Sequence, residues 1–74
     1  MEVYNVFLRD EETNQFILED TRFRLNDVMT DYVDGTTNRF ELIHLDVAHK
    51  DYYSYVQSYL DKSIDVLIIE VYVT

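Results

Sequence analysis

Asp65-Val66-Leu67-Ile68-Ile69-Glu70-Val71-Tyr72-Val73-Thr74 is the stretch on which the fold turns. It is almost continuously apolar and β-branched, the pattern of a central strand covered on both faces or paired along both edges. Just upstream, from Ala48 or Asp51 to Lys62, the apolar period becomes helical. Tyr52, Tyr55, Val56, Tyr59 and Leu60 form a broad arc, with Ser54, Gln57, Ser58 and Asp61 opposite. Before that helix, Arg39 to Val47 (RFELIHLDV) alternates as a strand does, and its Ile43-Leu45-Val47 side is the expected core side. The C-terminal half therefore reads β-α-β, with a right-handed crossover expected if the two strands are parallel neighbours.

Working back to the N-terminus, Glu2 to Arg9 (EVYNVFLR) and Gln15 to Phe23 (QFILEDTRF) are aromatic and β-branched, and the turn formers Asp10-Glu11-Glu12-Thr13-Asn14 separate them. The pair predicts a hairpin. Between hairpin and β-α-β lies Asn26 to Gly35, a helical segment with Asn26 as its expected N-cap. Gly35, the only glycine, stands where a left-handed residue would end it. The order is ββαβαβ: a small two-layer α+β domain over residues 1–74, with a four-stranded mixed sheet and two helices. If both helices cover one face, Val66, Ile68 and Tyr72, with Tyr4 and Val6, are left on the other. Such a face is expected to drive self-association, as a homodimer through the sheet or its edge.

Composition narrows the function classes. Among 74 residues, 47% are hydrophobic and none is cysteine, so the chain folds around one thin core without disulfides or thiolate metal sites. No signal-like start and no membrane-length apolar run is present, which predicts a soluble cytoplasmic protein, in the host-cell cytoplasm if phage-encoded. Fifteen acids against six bases give a net charge of −9, which disfavours nucleic acid and anionic membranes as direct partners and favours basic proteins. Moderate salt should raise the melting temperature by screening that repulsion.

Catalytic chemistry finds little purchase. His44, Asp46 and His49 are the nearest approach to a metal constellation, since two histidines with one carboxylate can bind iron, zinc or nickel, but the larger barrel and distant third ligand that H-x-D iron sites need are absent, and the simpler reading is a surface histidine and one at a helix start. Ser54, Ser58 and Ser63 lack a nucleophile-elbow turn. Paired carboxylates such as Glu19-Asp20 lack the dry pocket that a general acid needs. One glycine cannot build a phosphate-cradling loop. The chain is expected to be no enzyme, with no cofactor and no metal.

The distinctive sequence feature is the helix over 26–34. At ~100° per residue Asp27, Asp31 and Asp34 share one arc while Leu25, Val28, Met29, Tyr32 and Val33 lie opposite, and no base offers an i,i+4 pair. The helix dipole favours Asp27, accounts less well for Asp31 and opposes Asp34. Carboxylates ~5–6 Å apart along a helix approach the charge spacing of a nucleic-acid backbone. Asp27, Asp31 and Asp34, with Asp10, Glu11 and Glu12 in the hairpin loop, are thus candidate phosphate stand-ins. Tyr53 and Tyr55, at the margins of the second helix's arc, are candidate anchors. In size, acidity and lack of catalytic residues the chain resembles phage-encoded inhibitors of host defence nucleases and DNA-repair enzymes, anti-CRISPR proteins among them. That resemblance lies in composition alone and covers no motif. It implies a basic, nucleic-acid-binding protein as partner. The alternative is a self-associating structural or regulatory module whose acids serve solubility.

Overall fold

The final strand decides the architecture, because each of its faces needs cover. A computed structural model describes residues 1–35, 39–45 and 52–72. Its strands are β1 (Glu2–Asp10), β2 (Gln15–Arg22), β3 (Phe40–Leu45) and β4 (Val66–Tyr72). Between β2 and β3 comes α1 (Leu25–Val28), which widens into a π-helical turn (Met29–Val33). Between β3 and β4 comes α2 (Tyr52–Gln57), which tightens into a 3-10 turn (Ser58–Asp61). The sheet order is β2-β1-β4-β3, with β1 antiparallel to β2 and β4, and β3 parallel to β4. This is the expected ββαβαβ order and mixed four-stranded α+β sheet.

The layering differs from the two-layer expectation. On one face α2 packs over Phe7, Phe16, Leu45, Leu67 and Ile69, joined by Tyr52, Tyr55, Tyr59 and Leu60 from the predicted arc. On the other, α1 and its π turn set Leu25, Val28, Met29, Tyr32 and Val33 over Tyr4, Val6, Val66 and Ile68. The helices thus sandwich the sheet, because β4 is apolar on both faces and leaving either side open would keep large apolar area in water.

That arrangement corrects the self-association face. Val66 is 1% exposed and Ile68 is 0% exposed, so both are buried within the chain and offer no open surface to a second copy. Only Tyr72 of that trio stays half exposed, at 49%. Burying a valine or isoleucine side chain is worth ~1.5–3 kcal/mol, enough to draw even a short helix onto that side.

Helix boundaries also shift. Leu25 begins α1, preceded by Arg24 in extended backbone with no side-chain cap bond, so Asn26 lies inside the first turn instead of capping it. The turn ends as predicted: Gly35 adopts φ 75°, the left-handed region in which a side chain is strained. Of the expected Ile43-Leu45-Val47 core side, Ile43 packs on the α2 core and Leu45 is buried in it; Val47 lies outside the described residues.

Candidate functional site

The aspartate stripe begins from a helix too short to be straight. Asp34 N–H donates to the Met29 carbonyl at 2.6 Å, an i→i+5 bond that widens the last turn. Asp34 itself has extended backbone, with φ −65° and ψ 136°. The uniform 100° wheel therefore does not hold through the segment, and the three aspartates do not form one α-helical arc. Asp27 and Asp34 are exposed.

Asp31 has a base after all, supplied from the sheet. Arg22 on β2 donates to Asp31 Oδ2 at 2.7 Å and to Asp20 Oδ2, and its guanidinium lies 5.5 Å from the centre of the Tyr32 ring. Tyr32 Oη–H donates to the same Asp20 oxygen at 2.9 Å. Hydrogen bonds from Arg22 and then Tyr32 hold the Asp20 carboxyl below its usual range. The bonds to Asp31 and Asp20 in turn raise the Arg22 pKa. Burial, followed by the bond to Asp20, raises that of Tyr32. This cluster ties α1 to β2, so Asp31 is part of the docking of its own helix.

At the hairpin tip, Asp10 is half-buried and used locally. Its carboxylate accepts from Thr13 Oγ1 at 2.8 Å and its carbonyl accepts from Asn14 N at 2.8 Å, with Asn14 at φ 54°. Glu11 and Glu12 are exposed. Tyr53 is 60% exposed, its hydroxyl 3.3 Å from Gln15 Oε1. Tyr55 is half-buried, with its ring 5.5 Å from that of Tyr59 and its hydroxyl 3.1 Å from the Tyr59 hydroxyl. That bond, then burial, pushes the Tyr59 pKa up to about 12. Of the two expected anchors, Tyr53 is therefore free to be gripped, whereas Tyr55 is largely committed to the α2 core.

Sequence reading missed how the bases gather. Arg9, Arg39 and Lys62 line one open cleft of about 440 Å³ at the β4 entry, together with Asp61 and Asp65. Arg9 is the built member. Its Nε donates to the Ile64 carbonyl at 3.0 Å, Nη2 to the carbonyls of Leu60 and Lys62 at 3.1 and 2.8 Å, and Nη1 to Asn14 Oδ1 at 3.2 Å. It also lies 5.0 Å from the Phe16 ring centre. Its donors are almost fully used by the chain, so the cleft is a structural joint between hairpin and crossover more than a vacant anion seat. The signal is invisible in sequence because main-chain carbonyls carry no letter.

His44 on β3 has Nδ1 3.0 Å from Glu70 Oε1 on β4. Asp46 and His49, the other members of the sequence's nearest approach to a metal constellation, lie outside the described residues. Among the described residues no group of three or more possible metal ligands converges. No helix among them is long and apolar enough to cross a membrane.

Compared with known proteins, the chain matches no family model, no curated protein sequence and no solved structure.

Proposed function

We propose that this chain is a non-catalytic acidic antagonist that occupies the basic nucleic-acid groove of a partner protein, as a DNA mimic or an anti-CRISPR-like inhibitor of a host defence or DNA-processing enzyme does. One observation carries the reading: Arg9 and Arg22 are spent within the chain, leaving Arg24, Arg39 and Lys62 as the exposed bases among the described residues, while several acids stand outward unpaired. Arg9 is consumed by carbonyls and Arg22 by Asp20 and Asp31. Asp27, Asp34, Glu11 and Glu12 are exposed, and none of them forms an ion pair among the described residues. Internal pairing therefore removes little of the −9 net charge from the surface. A field of that sign steers a basic groove toward the chain and repels nucleic acid itself. Tyr53, exposed on α2 with its hydroxyl on Gln15 and across the sheet from Asp27 and Asp34, supplies an aromatic anchor.

The test is capture from bacterial lysate on immobilised protein at low and high salt, repeated with an Asp27→Lys/Asp34→Lys variant. Retention of a basic nucleic-acid enzyme, released by salt and lost in the variant, is the expected result. If the only species retained is the chain itself, and salt does not release it, the reading fails in favour of the self-associating regulatory module.

A further inference from the structure

The outer edge of β2 is the part of the surface best suited to pair with another strand. Gln15 to Glu19 (QFILE) has high β-propensity and one charge, and Ile17 and Leu18 are 47% and 53% exposed on opposite faces. One side chain interrupts that edge. Phe16 N–H donates to Gln57 Oε1 at 2.9 Å, and Gln57 Nε2 donates to the Phe16 carbonyl at 2.8 Å. An amide that both accepts from and donates to one residue's main chain reproduces what a neighbouring strand would do. The two bonds also fix the amide's orientation, since the reverse would set donor against donor. Farther along, Asp20 Oδ1 accepts from Thr21 N–H at 2.8 Å. Near the same point Glu19 is skipped in the register with β1, where Val6 pairs with Asp20 and Phe7 with Leu18. Such an irregularity further disfavours an added strand.

We propose that Gln57 is a plug that keeps β2 from pairing antiparallel with β2 of a second copy. Phe16 turns its main-chain groups outward, since it offers both to Gln57. A two-fold pairing centred on Ile17 would therefore bond Phe16 to Leu18 of the other copy. It would set Ile17 on Ile17 on one face and Leu18 on Phe16 on the other. Glu19 would meet Gln15, so no like charges oppose each other directly. The occupant that best fits the unplugged edge is thus the chain itself, and the plug explains how so apolar an edge coexists with a separate acidic surface. The inference stands apart from the proposed antagonist role.

The experiment is light scattering after size-exclusion chromatography on the unsubstituted chain, Gln57→Ala, and Gln57→Ala/Leu18→Lys, with circular dichroism to confirm folding. The expected result is a concentration-dependent doubling of mass in Gln57→Ala relative to the unsubstituted chain, reversed by Leu18→Lys. Unchanged mass in folded Gln57→Ala overturns the proposal, as does assembly that Leu18→Lys leaves intact. If Gln57→Ala does not fold, Gln57→Met is the substitute, because it keeps the length of the side chain and removes both the acceptor for Phe16 N–H and the donor to the Phe16 carbonyl. It should raise the mass in the same way, and a folded Gln57→Met of unchanged mass likewise overturns the proposal.

Discussion

On the α2 side of the sheet Arg9 donates to three main-chain carbonyls and an asparagine, whereas on the α1 side Arg22 donates to two carboxylates. Each arginine comes from the hairpin, lies by an aromatic ring and fastens a helix-containing segment. Their acceptors make them different devices. Carbonyls at the end of the 3-10 turn keep their partial negative charge at any pH and cannot move away from the chain that carries them. Carboxylates titrate, and those at Asp20 and Asp31 are 31% and 50% exposed, so salt and acid reach them. The α2 side should therefore set the basal stability of the fold, and the α1 side its response to conditions.

The largest effect expected from breaking this contrast is at Arg9. Arg9→Gln leaves the Leu60, Lys62 and Ile64 carbonyls short of donors and should cost about 2–4 kcal/mol in urea denaturation, with little dependence on salt. Arg9→Lys should recover only part of that loss, since an ammonium cannot span three carbonyls with the reach and planarity of a guanidinium. Full rescue by lysine would mean that charge alone matters there, and the contrast between the two sides would collapse.

Arg22→Gln should cost less, and its cost should shrink as sodium chloride is raised. The native pairing is screened by the same ions that relieve repulsion elsewhere on this −9 chain. Melting temperatures of the two proteins should therefore converge with added salt. A gap that stays constant would show the Arg22 cluster to be as insulated as Arg9.

The arginines also mark where sequence reasoning stops. β4, the hairpin and the α2 arc were legible because each rests on a local period, as in the run Val66 to Ile69 or the spacing Tyr52, Tyr55, Val56, Tyr59. The apolar set Leu25, Val28, Met29, Tyr32 and Val33 was legible too, and all five do meet the sheet. Which face they meet was not legible. The apolar periods give each helix a buried side but not the direction in which its connection leaves the sheet; only the need of β4 for cover on both faces decides it, so the open face expected at Val66 and Ile68 is the one that α1 fills. Asp31 looked unpaired because its base, Arg22, sits nine positions back across a strand-to-helix bend. Helix periodicity detects partners at i+3 and i+4 and is blind to that one. Gln57 shows the same limit: its partner, the Phe16 main chain 41 positions away, has no residue-type signal at all.

The smallest effect expected is on the acid limb of stability, and it separates the two sides by sign and place. Asp20 has a folded pKa below its ordinary 3.8, caused first by the Arg22 hydrogen bond and then by that of Tyr32. A depressed carboxyl contributes its full stabilisation above the unfolded value and loses it as pH falls through the folded one. Stability of the unsubstituted chain should therefore decline below about pH 4. In Arg22→Gln that decline should be shallower, while in Arg9→Gln it should keep the parent slope from a lower starting point. The alkaline limb gives no such separation, because both sides hold a tyrosine of raised pKa. Tyr32 is raised first by burial, and Tyr59 to about 12, first by its bond to the Tyr55 hydroxyl. Each favours the protonated form, so its contribution is complete below the ordinary 10.0 and fades as pH rises through the folded value. Denaturant titrations stepped through acid on the three proteins provide the check. Parallel acid limbs in the unsubstituted chain and Arg22→Gln would move the titrating contact away from α1 and leave the two arginines distinguished only by strength.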